Sequence, residues 1–269
     1  MQLDFSDAKI LFAPDQPEFC HLLNGISSML HHLEGYLVKV VRDHSAMLAD
    51  DDPLTKDVSI FCQQEGWHSR LHNQFNKKLV KSGYPWIGPY ADKMKDDFDG
   101  FRTNKGPRFC LAYAEGFETF GPLVSQFFFE KAGDLMRDWD EPTVYLWLWH
   151  FAEEYEHRSV CNHLYAAVYN DYFPRIYGLW YASIHLFGYS LRAAATMIDA
   201  DLKAGRIRGT KLRSRIRFAK VGVRLFGFLL PKLVFRCMSP HYDPVRIPPP
   251  RHSMQFLAEA SAKYAVRET

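Results

Sequence analysis

The sequence lacks the features of a secreted, disulfide-bonded or membrane-spanning protein. Its five cysteines are scattered and form no C-x-x-C pair, which favours reduced thiols inside a cell. The opening residues, MQLDFSDAKILFAPDQ, do not show the basic and then apolar pattern of a secretory signal. No run of 18 uninterrupted apolar residues occurs, so a membrane-spanning helix is not expected. We therefore predict a cytoplasmic protein.

Signals for β-strands are also scarce. The chain has no long alternation of apolar and polar residues, and no Asn-Gly or Asp-Gly pair stands between β-branched runs. Helical periodicity is strong instead, because Leu23, Ile26, Leu30, Leu33 and Leu37 recur at spacings of three and four. Hydrophobic residues make up 47% of the chain, enough to build a full core. The sequence therefore predicts an all-α protein.

Prolines and glycines divide the chain into seven predicted helices. The first and second helices are joined by a short link, and so are the third and fourth, whereas the connection from Lys81 to about Gly106 is long. Short links join antiparallel neighbours, so the first four helices should form two hairpins joined by one crossover, which is the ferritin-like four-helix bundle. The predicted helices cover residues 20–46, 54–82, 107–134, 142–170, 172–203, 211–236 and 252–266.

The chain shows no internal boundary strong enough to divide it. We predict a single domain over residues 1–269, made of the four-helix bundle at 20–170 and a helical C-terminal extension at 171–269. The extension is expected to pack on the bundle.

The second and fourth predicted helices each carry a Glu-x-x-His motif. One is Glu65-x-x-His68 and the other is Glu154-x-x-His157. The spacing of three residues places both side chains of a motif on one face of the helix. Di-iron carboxylate bundles combine two such motifs with one glutamate from each of two further helices. The first and third helices should therefore each supply a glutamate.

The depth of each residue along its hairpin selects those glutamates. Glu34 lies 16 residues before a turn near residue 50, and the first motif lies 15 to 18 residues after it. Glu118 lies 20 residues before a turn near residue 138, and the second motif lies 16 to 19 residues after it. At about 1.5 Å per residue, all six side chains can meet at one level, whereas Glu115 lies about a turn away.

Four buried carboxylates without a cation would be very costly, so the sequence predicts a two-metal centre. Iron is the expected metal, with manganese or zinc as alternatives. The predicted ligands are Glu34, Glu65, His68, Glu118, Glu154 and His157.

Three further side chains near these motifs are candidate catalytic residues. His72 and His150 lie four residues from His68 and Glu154, respectively. Each is either an additional ligand, a hydrogen-bonding partner that orients a ligand, or a histidine of the core. Glu153 is the candidate general base for a hydrolytic reaction. His31, one turn before Glu34, is a weaker candidate for the same surroundings.

These motifs resemble a known family. The stretches Phe61-Cys-Gln-Gln-Glu65-x-x-His68-x-x-x-His72, Glu118-Thr119, Trp149-His150-x-x-Glu153-Glu154-x-Glu156-His157 and Pro240-His241-Tyr-Asp-Pro244 look like bacterial proteins described as predicted metal-dependent hydrolases. That family is related to the ferritin-like superfamily, and the resemblance covers about residues 20–245. Before Glu34 the chain has His31-His32-Leu33 in place of the Pro-x-Gly lead that the family would suggest.

The resemblance and the ligand types imply different reactions. The family description implies a two-metal-dependent hydrolase. Four glutamates and two histidines on a helical bundle instead resemble the di-iron oxidases and oxygenases that activate O2, and this is our first hypothesis, with a small and largely apolar organic substrate. Iron storage is disfavoured because the extension after Asp171 does not suit a cage subunit. Phe117, Phe120, Trp147 and Trp149 either wall the substrate pocket or belong to the plain core.

Positive charge is concentrated late in the chain. Residues 203–236 contain eleven of the 33 basic residues and no acidic residue, so the rest of the chain has nine more acidic than basic residues. The segment is either a solvated helix face packed against the acidic body or a contact for an anionic surface, such as lipid headgroups. No nucleic-acid-binding motif accompanies the charge, so nucleic acid is not an expected partner. A homodimer is left open.

Overall fold

The computed structural model describes residues 3–49, 51–137 and 139–264, and this part of the chain is helical without any strand. The predicted all-α class is thus confirmed. A π-helical turn at Leu233–Cys237 and a short 3-10 turn at Pro244–Arg246 supplement the α-helices. The α-helices are α1 Pro17–Ser45, α2 Leu54–Lys81, α3 Ile87–Asn104, α4 Pro107–Glu118, α5 Gly121–Lys131, α6 Glu141–Glu156, α7 Val160–Val168, α8 Tyr172–Lys203, α9 Lys211–Lys232 and α10 Ser253–Tyr264.

Two predicted helices are each divided in the structure. The helix predicted at 107–134 breaks after Glu118, because the ring of Pro122 would clash with the Glu118 carbonyl in a continuous helix. The helix predicted at 142–170 breaks after Glu156. There the guanidinium of Arg158 donates a hydrogen bond of 2.7 Å to the Tyr155 carbonyl, which occupies an acceptor that a continuous helix would use.

The predicted crossover is not an irregular loop, because it contains α3. The buried residues of this helix are Ile87, Ala91, Met94, Phe98 and Phe101, which follow alternating spacings of four and three. This spacing of apolar residues is typical of a helix and can be read from the sequence. Near the C-terminus, α9 ends earlier than predicted and continues into the π-helical turn. The last predicted helix is described to residue 264, and its two remaining positions lie outside the described residues.

The long helix α1 lies at the centre of the packing. It contacts α2 on one side and α8 on another, and α8 also packs against α4. The helix α5 packs on α6, and α6 in turn contacts α2. This arrangement directs side chains from α1, α2, α4 and α6 towards one interior region. No helix in the described part of the chain has the length and hydropathy that crossing a bilayer requires.

Glycine allows α4 and α8 to approach each other closely. A Cβ atom on Gly178 of α8 would lie 2.3 Å from the carbonyl oxygen of Ala112, and a Cβ on Gly116 of α4 would lie 2.6 Å from the Cα of Leu179. The obstructing atoms belong to the backbone, so they cannot move aside as a flexible side chain could. The position of α4, and of Glu118 at its end, therefore depends on these glycines.

We expect Gly178→Ala to destabilise the protein by about 2 kcal/mol or more, because it overpacks this helix contact. Gly188→Ala on the same helix is the matched control, since no atom lies within 4 Å of the new methyl group. That change should stabilise the protein by about 0.5–1 kcal/mol through the helix propensity of alanine. Urea denaturation of both variants measures the difference, and equal stabilities would contradict the packing argument.

Candidate metal centre

The structure brings the six predicted residues together in the interior. Donor atoms of Glu65, Glu118, Glu154 and His157 all lie within 4.8 Å of one another. Glu34, Glu65 and His68 form a second group by the same measure, so Glu65 belongs to both. None of the six residues is more than 4% exposed to solvent.

Four helices position these side chains. Glu34 comes from α1, the Glu65 motif from α2, Glu118 from the last residue of α4, and Glu154 from α6. The sixth residue, His157, lies just after α6 ends. Its Nε2 atom lies 3.2 Å from Glu65 Oε1, 3.5 Å from Glu118 Oε2 and 3.7 Å from Glu154 Oε1. This nitrogen therefore faces three carboxylates.

The buried oxygen and nitrogen atoms of the centre have no hydrogen-bond partner in the described part of the chain. This holds for both carboxylate oxygens of the four glutamates, for Nδ1 of His68 and for Nε2 of His157. Burying so many acceptors without compensation would cost several kcal/mol per charged group. Oxygen and imidazole donors together suit iron, manganese or zinc. The residues present therefore fit a metal centre.

The opposite nitrogen of each histidine is held by the protein. His68 donates from Nε2 to Glu153 Oε2 at 3.1 Å, and His157 donates from Nδ1 to Gln64 Oε1 at 3.0 Å. The Gln64 amide in turn donates to Glu156 at 2.9 Å. Histidines that bind metals usually have their second nitrogen fixed in this way, which orients the ring.

Gln64 was not among the predicted residues. The sequence signal was its place immediately before Glu65 in the stretch Phe61-Cys-Gln-Gln-Glu65. The base role predicted for Glu153 stays a prediction, because the contact that the structure gives this carboxylate is with His68.

The two additional histidines form a hydrogen-bonded chain that ends at the centre. Nε2 of His150 lies 3.3 Å from Glu154 Oε1, and its Nδ1 lies 3.1 Å from His72 Nε2. Nδ1 of His72 lies 2.9 Å from the Ser27 hydroxyl. That hydroxyl is also 2.9 Å from Oδ1 of Asn76. All of these side chains are buried.

The hydrogen bonds from Ser27 through His72 to His150 allow two arrangements of the hydrogen atoms. In one, Ser27 donates to His72, and His150 then carries its proton on Nε2 and donates to the centre. In the other, Ser27 donates to Asn76, so His72 donates from Nδ1 and accepts at Nε2, and the Nε2 lone pair of His150 faces the centre. Burial lowers the pKa of both histidines, which keeps them neutral and compatible with either arrangement.

Two other candidates lie outside the centre. Glu115 is buried but paired with Arg175 at 3.2 Å and with Asn162 at 2.8 Å, and it belongs to none of the groups of metal-donor atoms among the described residues. His31 is only partly buried, and its Nδ1 lies 3.3 Å from the Asn76 amide. It thus contacts the hydrogen-bonded chain and not the six predicted residues.

The pKa values in the centre shift in opposite directions. Burial, together with the neighbouring carboxylates, raises the pKa of Glu34 and Glu118 well above the usual value. Burial acts on Glu65 and Glu154 in the same direction, but the imidazoles that lie close to both carboxylates outweigh it and lower the pKa of both. The centre thus lacks enough positive charge to ionise all four carboxylates.

An apolar cavity of about 90 Å³ adjoins the centre. Its lining comes from α1, α4, α5, α6, α8 and α9, and its polar side chains are His150, Glu154 and Ser190. Gly121 lies between the cavity and the centre, where a Cβ atom would approach Glu154 Oε2 to 2.2 Å. The absence of a side chain at this position therefore makes room for the Glu154 carboxylate.

Three of the four aromatic candidates for the pocket walls line this cavity, namely Phe117, Phe120 and Trp147. The fourth, Trp149, does not line the cavity. Its ring packs edge-on against His68, with the centroids 5.0 Å apart. A helix places neighbouring residues about 100° apart around its axis, so Trp147 and Trp149 point to different sides of α6.

We expect Glu118→Gln to have opposite effects on the metal-free and the metal-loaded protein. The pKa of Glu118 is raised in the folded parent protein. The stability that this carboxyl group contributes at acid pH is therefore lost as the pH rises above the usual carboxyl range. The metal-free variant should therefore lose less stability than the parent between about pH 5 and 8. With metal, the parent should gain about 2.7 kcal/mol at one hundred times Kd, and the variant less. Calorimetry of both forms measures this.

Glu115→Gln is the matched control on the same helix. Its carboxylate already has Arg175 and Asn162 as partners, so the change should destabilise the metal-free and loaded forms alike. The stabilisation by metal should be unchanged. If Glu118→Gln behaves in the same way as this control, Glu118 has only a structural role.

Comparison with known proteins agrees with this chemistry. Residues 1–247 match the model of one protein family, described as predicted metal-dependent hydrolase. Neither a curated protein nor a solved structure matches the chain. The matched range includes every residue of the centre and most of the 269-residue chain. The protein therefore belongs to the family of predicted metal-dependent hydrolases.

Proposed function

We propose that this protein is a two-metal-dependent hydrolase whose substrate carries an apolar group. The observation that carries the proposal is the group of unpartnered buried oxygen and nitrogen atoms beside an apolar cavity. Membership of the family supports hydrolysis as the reaction.

We further propose that the six predicted residues would hold the two ions, and Glu65 belongs to both groups of donor atoms. In this proposal α1, α2, the α4–α5 pair and the α6–α7 pair correspond to the four helices of a ferritin-like bundle. Residues 171–269 would then be an extension of that bundle.

His150 is proposed as an additional nitrogen donor. It forms a group with His68 and Glu154 whose donor atoms lie within 4.8 Å of one another, and its Nε2 lies 3.3 Å from Glu154 Oε1. The arrangement in which Ser27 donates to Asn76 leaves the lone pair of this nitrogen free for a cation. His72 holds the opposite nitrogen of the ring, and we assign it a positioning role.

When bound, the two ions would lower the pKa of a water molecule towards about 7 and polarise the bond to be cleaved. The protein's own side chains would orient the histidine ligands, bind the substrate and exclude water. The hydrogen bonds that His68 donates to Glu153 and His157 donates to Gln64 fix the directions of the two rings. The apolar walls would bind the hydrophobic group of an ester and exclude bulk water. The water oxygen would form a bond to the acyl carbon, and a proton would pass to the departing alkoxide.

The second candidate is an O2-dependent oxidase or oxygenase for a small apolar compound. Two observations favour it, namely the predominance of glutamate donors and a cavity with few polar side chains to recognise a polar substrate. Bound iron would supply electrons for the reduction of O2. The cavity walls would place a hydrocarbon group beside His150 and Glu154.

We expect His150→Ala to lower the metal affinity by about 10–100-fold, and His72→Ala to lower it by a smaller factor in the same direction. His44→Ala is the control, because His44 is buried but bonds to Val40 and Tyr169, outside the centre. Titration calorimetry gives the affinity, and pulsed EPR of the Cu(II)-loaded protein reports the coordinated imidazoles. Unchanged affinity and an unchanged imidazole signal in His150→Ala would remove it from the ligands.

The proposed reaction is tested on protein stripped of metal and reloaded anaerobically with Zn(II), Mn(II) or Fe(II). Hydrolysis of p-nitrophenyl esters should require metal and increase from acetate to butyrate, because the longer acyl chain fills more of the apolar cavity. Glu65→Ala and His157→Ala should lose both the metal and the activity, and retention of two ions in both variants would contradict the ligand assignment. Rapid O2 uptake by the Fe(II) protein without ester cleavage would favour the oxidase instead.

A further inference from the structure

The outward face of α9 carries a continuous apolar stripe. Its members follow spacings of four, three, four, four, three and four residues, which places them along one side of the helix and its π-helical extension. Every member is apolar and exposed to solvent. At about 1.5 Å per residue the stripe is about 33 Å long. It consists of Leu212, Ile216, Ala219, Val223, Gly227, Leu230 and Val234.

The stripe is not the face by which α9 joins the protein. The buried residues Ser214, Leu225 and Leu229 lie on the other side of the helix. Ser214 donates to Glu18, and the two leucines line the apolar cavity. The folding of α9 onto the body therefore does not require the stripe, whose Leu212 and Val223 are 67% and 74% exposed. A helix that is apolar on both sides usually has a second apolar neighbour.

Basic residues flank the stripe. Four of the eleven in residues 203–236 are paired with acidic residues of the body, as Lys211 is with Asp199 and Arg224 with Asp134. The idea that this segment packs against the acidic body therefore accounts for part of the charge. Five exposed cations form no side-chain hydrogen bond or ion pair within the described residues. Arg213, Arg215 and Lys220 lie on α9 beside the stripe, and Lys203 and Arg208 come before this helix in the chain.

We propose that α9 binds the surface of an anionic lipid bilayer and lies in the plane of the headgroups. The stripe would enter the boundary of the acyl chains, and the flanking cations would contact the anionic headgroups. Their aliphatic stems allow the charged ends to remain in the headgroup layer while the helix lies deeper. No acidic residue within 203–236 would oppose this contact.

Two phenylalanines are exposed near one end of the stripe. Phe235, next to the last residue of the stripe, is 86% exposed, and Phe173 at the start of α8 is 81% exposed. These two segments are neighbours, because Arg175 donates to the Cys237 carbonyl at 3.0 Å. Exposed phenylalanines at the edge of an amphipathic helix are typical of contact with the acyl boundary.

A second copy of the chain is a poorer occupant. A two-fold pair would place the same stripe and the same flanking cations of both copies against each other. Arg213, Arg215 and Lys220 of one copy would then meet like charges and lack acidic partners, which opposes association. An anionic bilayer satisfies both the apolar stripe and the surplus of positive charge.

The membrane proposal does not depend on the metal chemistry. One consequence does rest on the proposed function: an apolar substrate could reach the cavity from the bilayer, because Leu225 and Leu229 line the cavity on the opposite side of the same helix. Binding is therefore measured on both metal-free and metal-loaded protein. A negative result would reject the membrane site and leave the proposed hydrolysis untouched.

The test is co-sedimentation of the full chain with vesicles of phosphatidylcholine, with and without phosphatidylserine. We expect binding to the anionic vesicles that weakens as salt is added. Combining Leu212→Glu with Val223→Glu should lower the binding by at least about tenfold, since it places carboxylates in the acyl boundary. Combining Arg213→Gln with Arg215→Gln should weaken binding to anionic vesicles and reduce its salt dependence.

The controls change similar residues elsewhere on the surface. Met47→Glu replaces another exposed apolar residue, and Lys56→Gln removes an exposed cation from α2. Both should bind vesicles as the parent does. Unaltered thermal unfolding would show that the α9 variants are folded. The proposal is overturned if the parent fails to bind at low salt, or if the α9 variants bind like the controls. A dimer that Val223→Glu dissociates, without vesicle binding, would also overturn it.

Discussion

The physical constraint on which the structure depends is the burial of four carboxylates within one small volume. Burial and mutual repulsion raise the pKa of Glu34 and Glu118, whereas the adjacent imidazoles lower the pKa of Glu65 and Glu154. Such a group is tolerable only where positive charge compensates it. Imidazolium can do so in part, and metal ions bound by the same atoms would do so more completely. This requirement links the chemistry of the site to the stability of the fold.

The surrounding side chains restrict how that charge can be compensated. The rings of His68 and His157 are each fixed through the nitrogen that points away from the centre, so the other nitrogen can only face the carboxylates. The chain that begins at Asn76 and passes through His72 allows His150 to present either a proton or a lone pair. His150 can thus donate a proton towards Glu154 when no cation is bound, or offer its lone pair to a cation.

The apolar cavity beside the centre and the basic surface share the helix α9. Its inner leucines close an apolar cavity that reaches Glu154, while its outer stripe and flanking cations are exposed. A cavity with apolar walls needs a substrate with apolar surface, and such compounds partition into bilayers. The location of α9 between the cavity and the outside therefore gives the two proposals a common physical basis, although each is tested separately.

Sequence periodicity alone determined the helical class, the bounds of α1, α2 and α8, and the six residues that meet in the interior. These features depend on local spacing and on helical rise, which are properties of consecutive residues. Tertiary structure alone decided that Gln64 holds His157, that Trp149 points to His68 and not to the cavity, and that the basic segment is only partly paired. Each depends on which elements become neighbours and how they are rotated about their axes. The break after Glu118 was readable from Pro122, but the break after Glu156 was not, because the Arg158 side chain that holds it also bonds to the distant carbonyl of Pro244.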